Sequence, residues 1–259
     1  MASRIDGLTA DEQAVFARLA DRLQRHEERN RIRSAYADGH RAARAVSPML
    51  PPYLRSLAIP MGWPAKAIEA LARRVRLDGF AIPGDDIAAY GIDLLLDGNR
   101  YLAEVRQAHV ASLGHGVAWE IVTAGGQEEP DALITVKSAL DGTGDWNGRT
   151  RRLDSFLSVV ERDKTSHEPV DFNLYLPGVT IVVVGRSVVD RSAHNLWVPV
   201  EPLPYRPRLD RPFGSSRISR QVMALTDAAG RAMLLMEGTA DFYCTPQLLM
   251  LGASQDAFQ

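Results

Sequence analysis

The chain has 259 residues, of which 46% are hydrophobic and 24% are charged. These proportions are typical of a globular protein of one large or two small domains, and they exclude a fibrous or wholly disordered chain. The net charge of −2 gives no overall attraction to nucleic acid. Cys244 is the single cysteine, which excludes a disulfide framework and a cysteine-rich zinc site. We expect neither a signal peptide nor a membrane-spanning segment, because no stretch approaches the ~20 apolar residues that span a bilayer.

The first predicted element is a long amphipathic helix. Thr9 and Glu12 have the spacing of a capping box, and apolar residues then recur at helical intervals as far as Ile32. Six arginines lie between positions 18 and 33, partly offset by acidic residues. We interpret this charged side as a solvated helix face, and a nucleic-acid-binding helix is the less favoured alternative.

Three shorter helices are predicted after an irregular connection. Pro48, Pro51 and Pro52 mark that connection, because proline stops a helix and restrains the residue before it. The second helix opens at Trp63-Pro64, since proline suits the first helical turn, and is expected to stop near residue 78. The third and fourth helices are predicted over residues 85–96 and 100–112.

Beyond residue 116 the apolar period changes from helical to strand-like. Turn-rich segments separate the apolar runs and predict antiparallel or mixed pairing between them. The predicted strands are residues 117–123, 132–137, 157–162, 172–177 and 180–184. The proline-dense segment 199–212 can be neither a central strand nor a helix. A helical region followed by a run of strands predicts an α+β fold and not alternating βαβ units.

The last predicted element is a long helix from Ser216 to about Cys244. Roughly 28 residues without proline would extend about 42 Å at 1.5 Å per residue. Apolar residues recur in it with a period of 3.5, which is typical of a helix that packs lengthwise against another helix. This predicted seam consists of Ile218, Val222, Leu225, Ala229, Ala232 and Met236.

No motif in the sequence has the spacing of a catalytic, cofactor or metal site. The six histidines are scattered, and His109 and His115 are six apart, whereas ligands on one helix face stand four apart. The glycine-rich segment 142–148 lacks the spacing and the lysine of a phosphate-binding loop, so we interpret it as a turn with an aromatic anchor. We predict no catalytic residue, no cofactor and no metal, and an enzyme with an unseen spatial site is an alternative.

Six segments, read in chain order, resemble the portal proteins of tailed bacteriophages of actinobacteria. The most distinctive are YADGH at residues 36–40, RPFGSSRI at 211–218 and FYCTPQ within 239–252. The other three lie within residues 57–80, 108–119 and 197–200. One departure is Gly62, which stands where the family usually has an asparagine.

The resemblance implies a structural protein rather than an enzyme. Portal subunits form a homo-oligomeric ring, typically a dodecamer, at one capsid vertex, and double-stranded DNA passes through it during packaging and ejection. Terminase, capsid and head-completion proteins are the implied partners, and the virion, assembled in the host cytoplasm, is the implied location. By resemblance the chain is an N-terminal portion with a wing-like α+β region (1–213), a stem-like helix (214–244) and the start of a clip-like region (245–259).

The resemblance also suggests roles for residues of the long helix. The seam is expected to pack either between neighbouring copies or within one subunit, and the sequence leaves both possibilities open. Arg217, Arg220 and Arg231 are expected either to face the DNA channel or to pair with acidic groups on neighbouring copies. A truncated, non-functional portal remnant is a further alternative, because a stem helix without its partner would fold poorly alone.

Overall fold

The computed structural model describes residues 4–40, 61–84, 87–126 and 128–244. Its α-helices and two antiparallel sheets confirm the predicted α+β class with a long helix last in the described chain. The prolines at 48–52 and the expected clip-like start at 245–259 lie outside these residues. The α-helices are α1 (Ala10–Ala37), α2 (Trp63–Ala72), α3 (Ile92–Gly98), α4 (Tyr101–His115) and α5 (Arg220–Cys244).

Two antiparallel sheets follow α4. A three-stranded sheet has the order β2-β1-β8, and a five-stranded sheet has the sequential order β3-β4-β5-β6-β7. The predicted pairing of the strands near 117–123 and 132–137 is confirmed, with Trp119 opposite Lys137. The strands are β1 (Val117–Ala124), β2 (Ala132–Ser138), β3 (Gly142–Asn147), β4 (Arg152–Arg162), β5 (Pro169–Leu176), β6 (Val179–Val184), β7 (Ser187–Ala193) and β8 (Val200–Pro204).

Helix α1 packs on the five-stranded sheet. Its predicted capping box is present: the Glu12 amide donates to Thr9 Oγ1 at 3.4 Å, and the Thr9 amide donates to Glu12 Oε2 at 2.8 Å. Phe16 and Leu19 are buried against apolar residues of β4, β5 and β6. The Phe16 ring meets Phe172 edge-on, with 5.2 Å between the ring centroids.

The shorter helices differ from their predicted limits. Helix α2 ends at Ala72, so the predicted end near residue 78 was wrong. The predicted helix 85–96 is a short 3-10 turn (Ile87–Tyr90) followed by α3, because Gly91 adopts a left-handed φ of 64° between them. Residues 85 and 86 lie outside the described residues. Helix α4 extends to His115, where Gly116 ends it with a φ of 111°.

Strands β3, β7 and β8 were not predicted. The interpretation of residues 142–148 as a turn was wrong, since Gly142–Asn147 forms β3. A Cβ atom on Gly142 would stand only 2.6 Å from the Phe156 ring and 2.9 Å from Trp119, so glycine here serves close packing. Strand β8 contains two prolines and lies at the edge of its sheet, which agrees with the exclusion of this segment from a central strand.

A small core joins the helices to the start of α5. Ile218 is fully buried in this core. It contacts Tyr36 of α1, Ile68 of α2 and Leu113 of α4. The Tyr36 hydroxyl donates a 2.7 Å hydrogen bond to Asp227 of α5. The helix begins at Arg220 and not at the predicted Ser216, so Ile218 belongs to the segment that leads into it.

Candidate functional site

Helix α5 has a buried face and an exposed face. Thr226, Gly230 and Leu234 recur every four residues and are buried. Leu225 and Met236 point to the other side, because each residue turns an α-helix by about 100°, and they are 65% and 70% exposed. The exposed apolar residues on that side are Leu225, Ala232, Met236 and Tyr243, which we call the outer face of α5.

The structure divides the predicted seam. Ile218 has no exposed surface, precedes α5 and contacts its own subunit, so at this position the packing is within one subunit, one of the two possibilities that the sequence left open. Val222 and Ala229 are half-buried, while Leu225, Ala232 and Met236 are exposed. The exposed part of the seam therefore lies on the outer face. Ile218, the buried first residue of the seam, anchors the helix to the subunit.

The outer face is long enough to be an interaction surface. Its end residues, Leu225 and Tyr243, are 18 positions apart, which corresponds to about 27 Å of helix. Near its end, Leu235, Met236 and Tyr243 border a shallow depression together with small side chains. The outer face is therefore an exposed and largely apolar stripe of the helix.

The three arginines considered for a DNA channel do not lie together. Arg217 precedes α5, is half-buried and donates from Nη1 to the Tyr205 hydroxyl at 2.9 Å, with its guanidinium 5.9 Å from the ring centroid. Arg220 is exposed at the first residue of α5, and Arg231 is half-buried. Arg220 and Arg231 lie on nearly the same side of the helix, since eleven residues make about three turns.

Most arginines of α1 are paired with carboxylates. Arg18 and Arg22 both reach Asp145, at 2.6 and 2.7 Å. Arg25 and Arg31 pair with the acidic residues four positions before them. The i,i+4 pairs support the interpretation of a solvated helix face for Arg25 and Arg31, whereas Arg18 and Arg22 make tertiary contacts with β3.

Asp145 is the centre of the tertiary ion pairs between α1 and β3. Partial burial alone would raise its pKa, but hydrogen bonds from Arg18 and Ser155 and the charge of Arg22 lower that pKa below its ordinary value. The carboxylate is therefore ionised at neutral pH and fixes α1 to the strand. Its contacts with Arg18, Arg22 and Ser155 all lie at this junction, which indicates a structural role.

The described residues contain no candidate metal centre. No three side chains of histidine, cysteine, aspartate or glutamate approach one another closely enough there to hold an ion. Among the described helices, none combines the length and the apolar character that crossing a bilayer requires.

Comparison with known proteins points to one kind of protein. No protein-family model matches the chain. The chain is 26% identical over 233 residues to the portal protein of Mycobacterium phage L5, a match that covers 85% of this chain and 47% of that protein. It is 27% identical over 233 residues to the portal protein of Mycobacterium phage D29, with 86% and 48% covered. The chain thus spans about half the length of these curated relatives, and the resemblance to phage portal proteins is confirmed over most of its own length.

Proposed function

We propose that this chain is a structural subunit of a phage portal, which forms a ring at the capsid vertex through which DNA enters and leaves. The similarity to two mycobacteriophage portal proteins supports this proposal. The structural observation that supports it is the outer face of α5, where Leu225 and Met236 are about two-thirds exposed. An enzymatic role is not part of the proposal.

The outer face suits contact between copies. A closed ring needs a heterologous interface, in which one patch on each subunit meets a different patch on the next. Complete burial of a leucine or methionine side chain contributes about 1.5–3 kcal/mol. Leu225 and Met236 are about two-thirds exposed, so each would contribute about 1–2 kcal/mol to every contact.

The proposed ring would also let DNA pass through its centre. A conduit must let DNA slide, and each basic contact in a ring is multiplied by the number of copies. The net charge of −2 is compatible with weak retention of DNA. Arg220 and Arg231 are the proposed channel-facing residues, whereas Arg217 is engaged with Tyr205 in its own subunit.

The wider assembly follows from the same proposal. Residues 1–213 would form the wing-like region, 214–244 the stem-like helix and 245–259 the start of a clip-like region. Terminase, capsid and head-completion proteins would be the partners of the ring, and the virion would be its location. The competing proposal is a portal remnant that does not assemble.

Sedimentation velocity of the purified 259-residue chain tests the proposal. We expect a concentration-dependent, discrete oligomer for the unchanged chain and loss of that oligomer for Leu225→Glu/Met236→Glu. The matched control is Leu94→Glu/Leu102→Glu, which changes two leucines that are 81% and 56% exposed on α3 and α4. The control should assemble like the unchanged chain.

Each outcome separates the alternatives. Monomers of the unchanged chain at every concentration would favour the remnant. If the control loses assembly while the α5 variant retains it, the interface lies elsewhere than on the outer face. A discrete oligomer that only the α5 variant loses is the result that the proposal requires.

A further inference from the structure

A cleft of about 810 Å³ lies between α1 and the segment that leads into α5. Arg29 and Arg33 of α1 line one side of it, and Arg211 and Arg220 line the other. Its lining also includes Trp119, which belongs to the core at the start of β1. The feature depends only on the subunit's own fold and is independent of whether the chain forms a ring.

The positive charges of this cleft are incompletely balanced. Arg22, which also lines it, is paired with Asp145 at 2.7 Å. Arg211 approaches Asp210 only at 3.5 Å, and both side chains are largely exposed. Arg29, Arg33 and Arg220 form no ion pair with a carboxylate anywhere in the described part of the chain.

Arg33 is held in place by neutral partners. Its Nη1 donates to the backbone carbonyl of His115 at 2.9 Å and lies 3.3 Å from Asn30 Oδ1. Arg29 Nε donates to the same amide oxygen at 3.5 Å. Two guanidinium groups therefore converge on one Asn30 side chain, and their like charges repel each other.

The pKa values of the surrounding groups reflect this crowding. Desolvation, followed by the charge of Arg29, lowers the pKa of Arg33 to about 10. Desolvation also lowers the pKa of Arg29. Desolvation and then the charges of neighbouring arginines lower the pKa of His26, and desolvation and then the charge of Arg33 lower the pKa of His115. The cleft disfavours further positive charge, and an anion bound there would relieve the repulsion.

Further hydrogen-bond donors border the same cleft. Trp119, which is only 2% exposed and packs against Phe156 and Phe213, contributes apolar surface to the lining of the cleft. Arg220 and Gln221 of the first turn of α5, and Ser219 just before it, also line the cleft, and the N-terminus of a helix carries partial positive charge. Five arginines and a single carboxylate, that of Asp210, line the cleft, so its surface carries net positive charge.

We propose that this cleft binds a phosphate group carried by a nucleotide or by a nucleic-acid strand. A carboxylate has two oxygens in one plane, and a single arginine fork satisfies both. A phosphate has acceptor oxygens in several directions and matches donors that come from α1, from the segment before α5 and from α5 itself. The cleft volume far exceeds that of a bare phosphate ion, so the phosphate would be part of a larger ligand.

Isothermal titration calorimetry at low ionic strength tests this assignment. The probes are inorganic pyrophosphate, a short single-stranded DNA and an oligoglutamate peptide. The test variant is Arg29→Gln/Arg33→Gln, and the control is Arg25→Gln/Arg31→Gln, which removes the same charge from the same helix outside the cleft. Loss of two charge-assisted hydrogen bonds should weaken phosphate binding by at least about tenfold, while the control should change it by less than about twofold.

The outcomes assign the source of the phosphate or overturn the proposal. Cleft-dependent binding of pyrophosphate indicates a nucleotide-like ligand, and cleft-dependent binding of DNA alone indicates a strand. Equal weakening in both variants would show general charge attraction and would overturn the proposal. So would absence of binding to the unchanged chain, or a preference for oligoglutamate. If circular dichroism shows that the double variant does not fold, Arg29→Gln alone serves as the test. Arg29 hydrogen-bonds to its neighbour Asn30, so this single change disturbs the fold less.

Discussion

Ile218 and Leu225 belong to the same apolar pattern in the sequence, yet the structure gives them opposite roles. Ile218 is fully buried among Tyr36, Ile68 and Leu113, so Ile218→Ala would leave a cavity at the junction of the helices. Such a truncation costs about 2–5 kcal/mol, and we expect about 3 kcal/mol here. Leu225 is 65% exposed, so its side chain loses little on truncation. Leu225→Ala should therefore cost less than about 0.7 kcal/mol in the separated subunit.

Urea unfolding followed by circular dichroism measures both free energies. The protein concentration must be low enough for any assembly to dissociate, so that the values refer to the subunit. The slope of the unfolding free energy against urea should stay constant, which shows that the denatured state is unchanged. Equal costs for the two variants, or a larger cost for Leu225→Ala, would mean that Leu225 packs within its own subunit and would refute the assignment of the outer face.

Two further predictions concern the packing of the subunit. Hydrogen bonds from Arg191 lower the pKa of Glu12 from 4.5 to about 2, so this pair stabilises the fold above pH 4.5 and ceases to do so as the pH falls towards 2. Glu12→Gln keeps the cap and should cost about 1 kcal/mol at pH 7, and a cost that persists at pH 2 would contradict the ionic origin. Gly144→Ala would place a Cβ atom 2.9 Å from a Leu153 methyl group, so thermal unfolding should show a loss of about 1–3 kcal/mol. The control Gly148→Ala, with no atom within 4 Å of its Cβ, should be nearly neutral, and equal losses would count against the steric explanation.

The fold class could be predicted because its signals are local. The capping box at Thr9 and Glu12, the change of apolar period near residue 116 and the turn-rich segments between apolar runs all depend on neighbours in the sequence. Strand β3 could not be predicted in this way. Gly142 and Gly144 are required by rings and side chains that approach from other strands, and that requirement leaves no local pattern.

The buried face of α5 escaped prediction for a related reason. Thr226 and Gly230 are not apolar residues, so a search for apolar periodicity misses them. Both can nevertheless be buried, because the Thr226 hydroxyl donates to the Val222 carbonyl at 2.7 Å and glycine has no side chain. The 3.5-residue pattern instead identified the opposite, outer face, together with Ile218, which precedes the helix. The pattern indicates an apolar stripe, and only the fold shows which part of that stripe is already covered within the subunit.

The cleft could not be predicted from the sequence at all. Arg29 and Arg33 lie on α1, and Arg220 lies almost two hundred residues later. In sequence, the arginines of α1 look equivalent, and only the positions of Asp145, Asp21 and Glu27 distinguish the paired ones from the unpaired ones.

Site-directed photo-cross-linking tests most directly whether the outer face of α5 touches another copy. A photoreactive benzoyl-phenylalanine would replace Leu225, which is 65% exposed, in one preparation and Leu94, which is 81% exposed on α3, in the other. We predict a ladder of covalent multimers from position 225, with peptide mapping that joins α5 to a neighbouring chain, and only monomers from position 94. Multimers from position 94 alone, or monomers from both positions at concentrations where the chain sediments as an oligomer, would contradict the account.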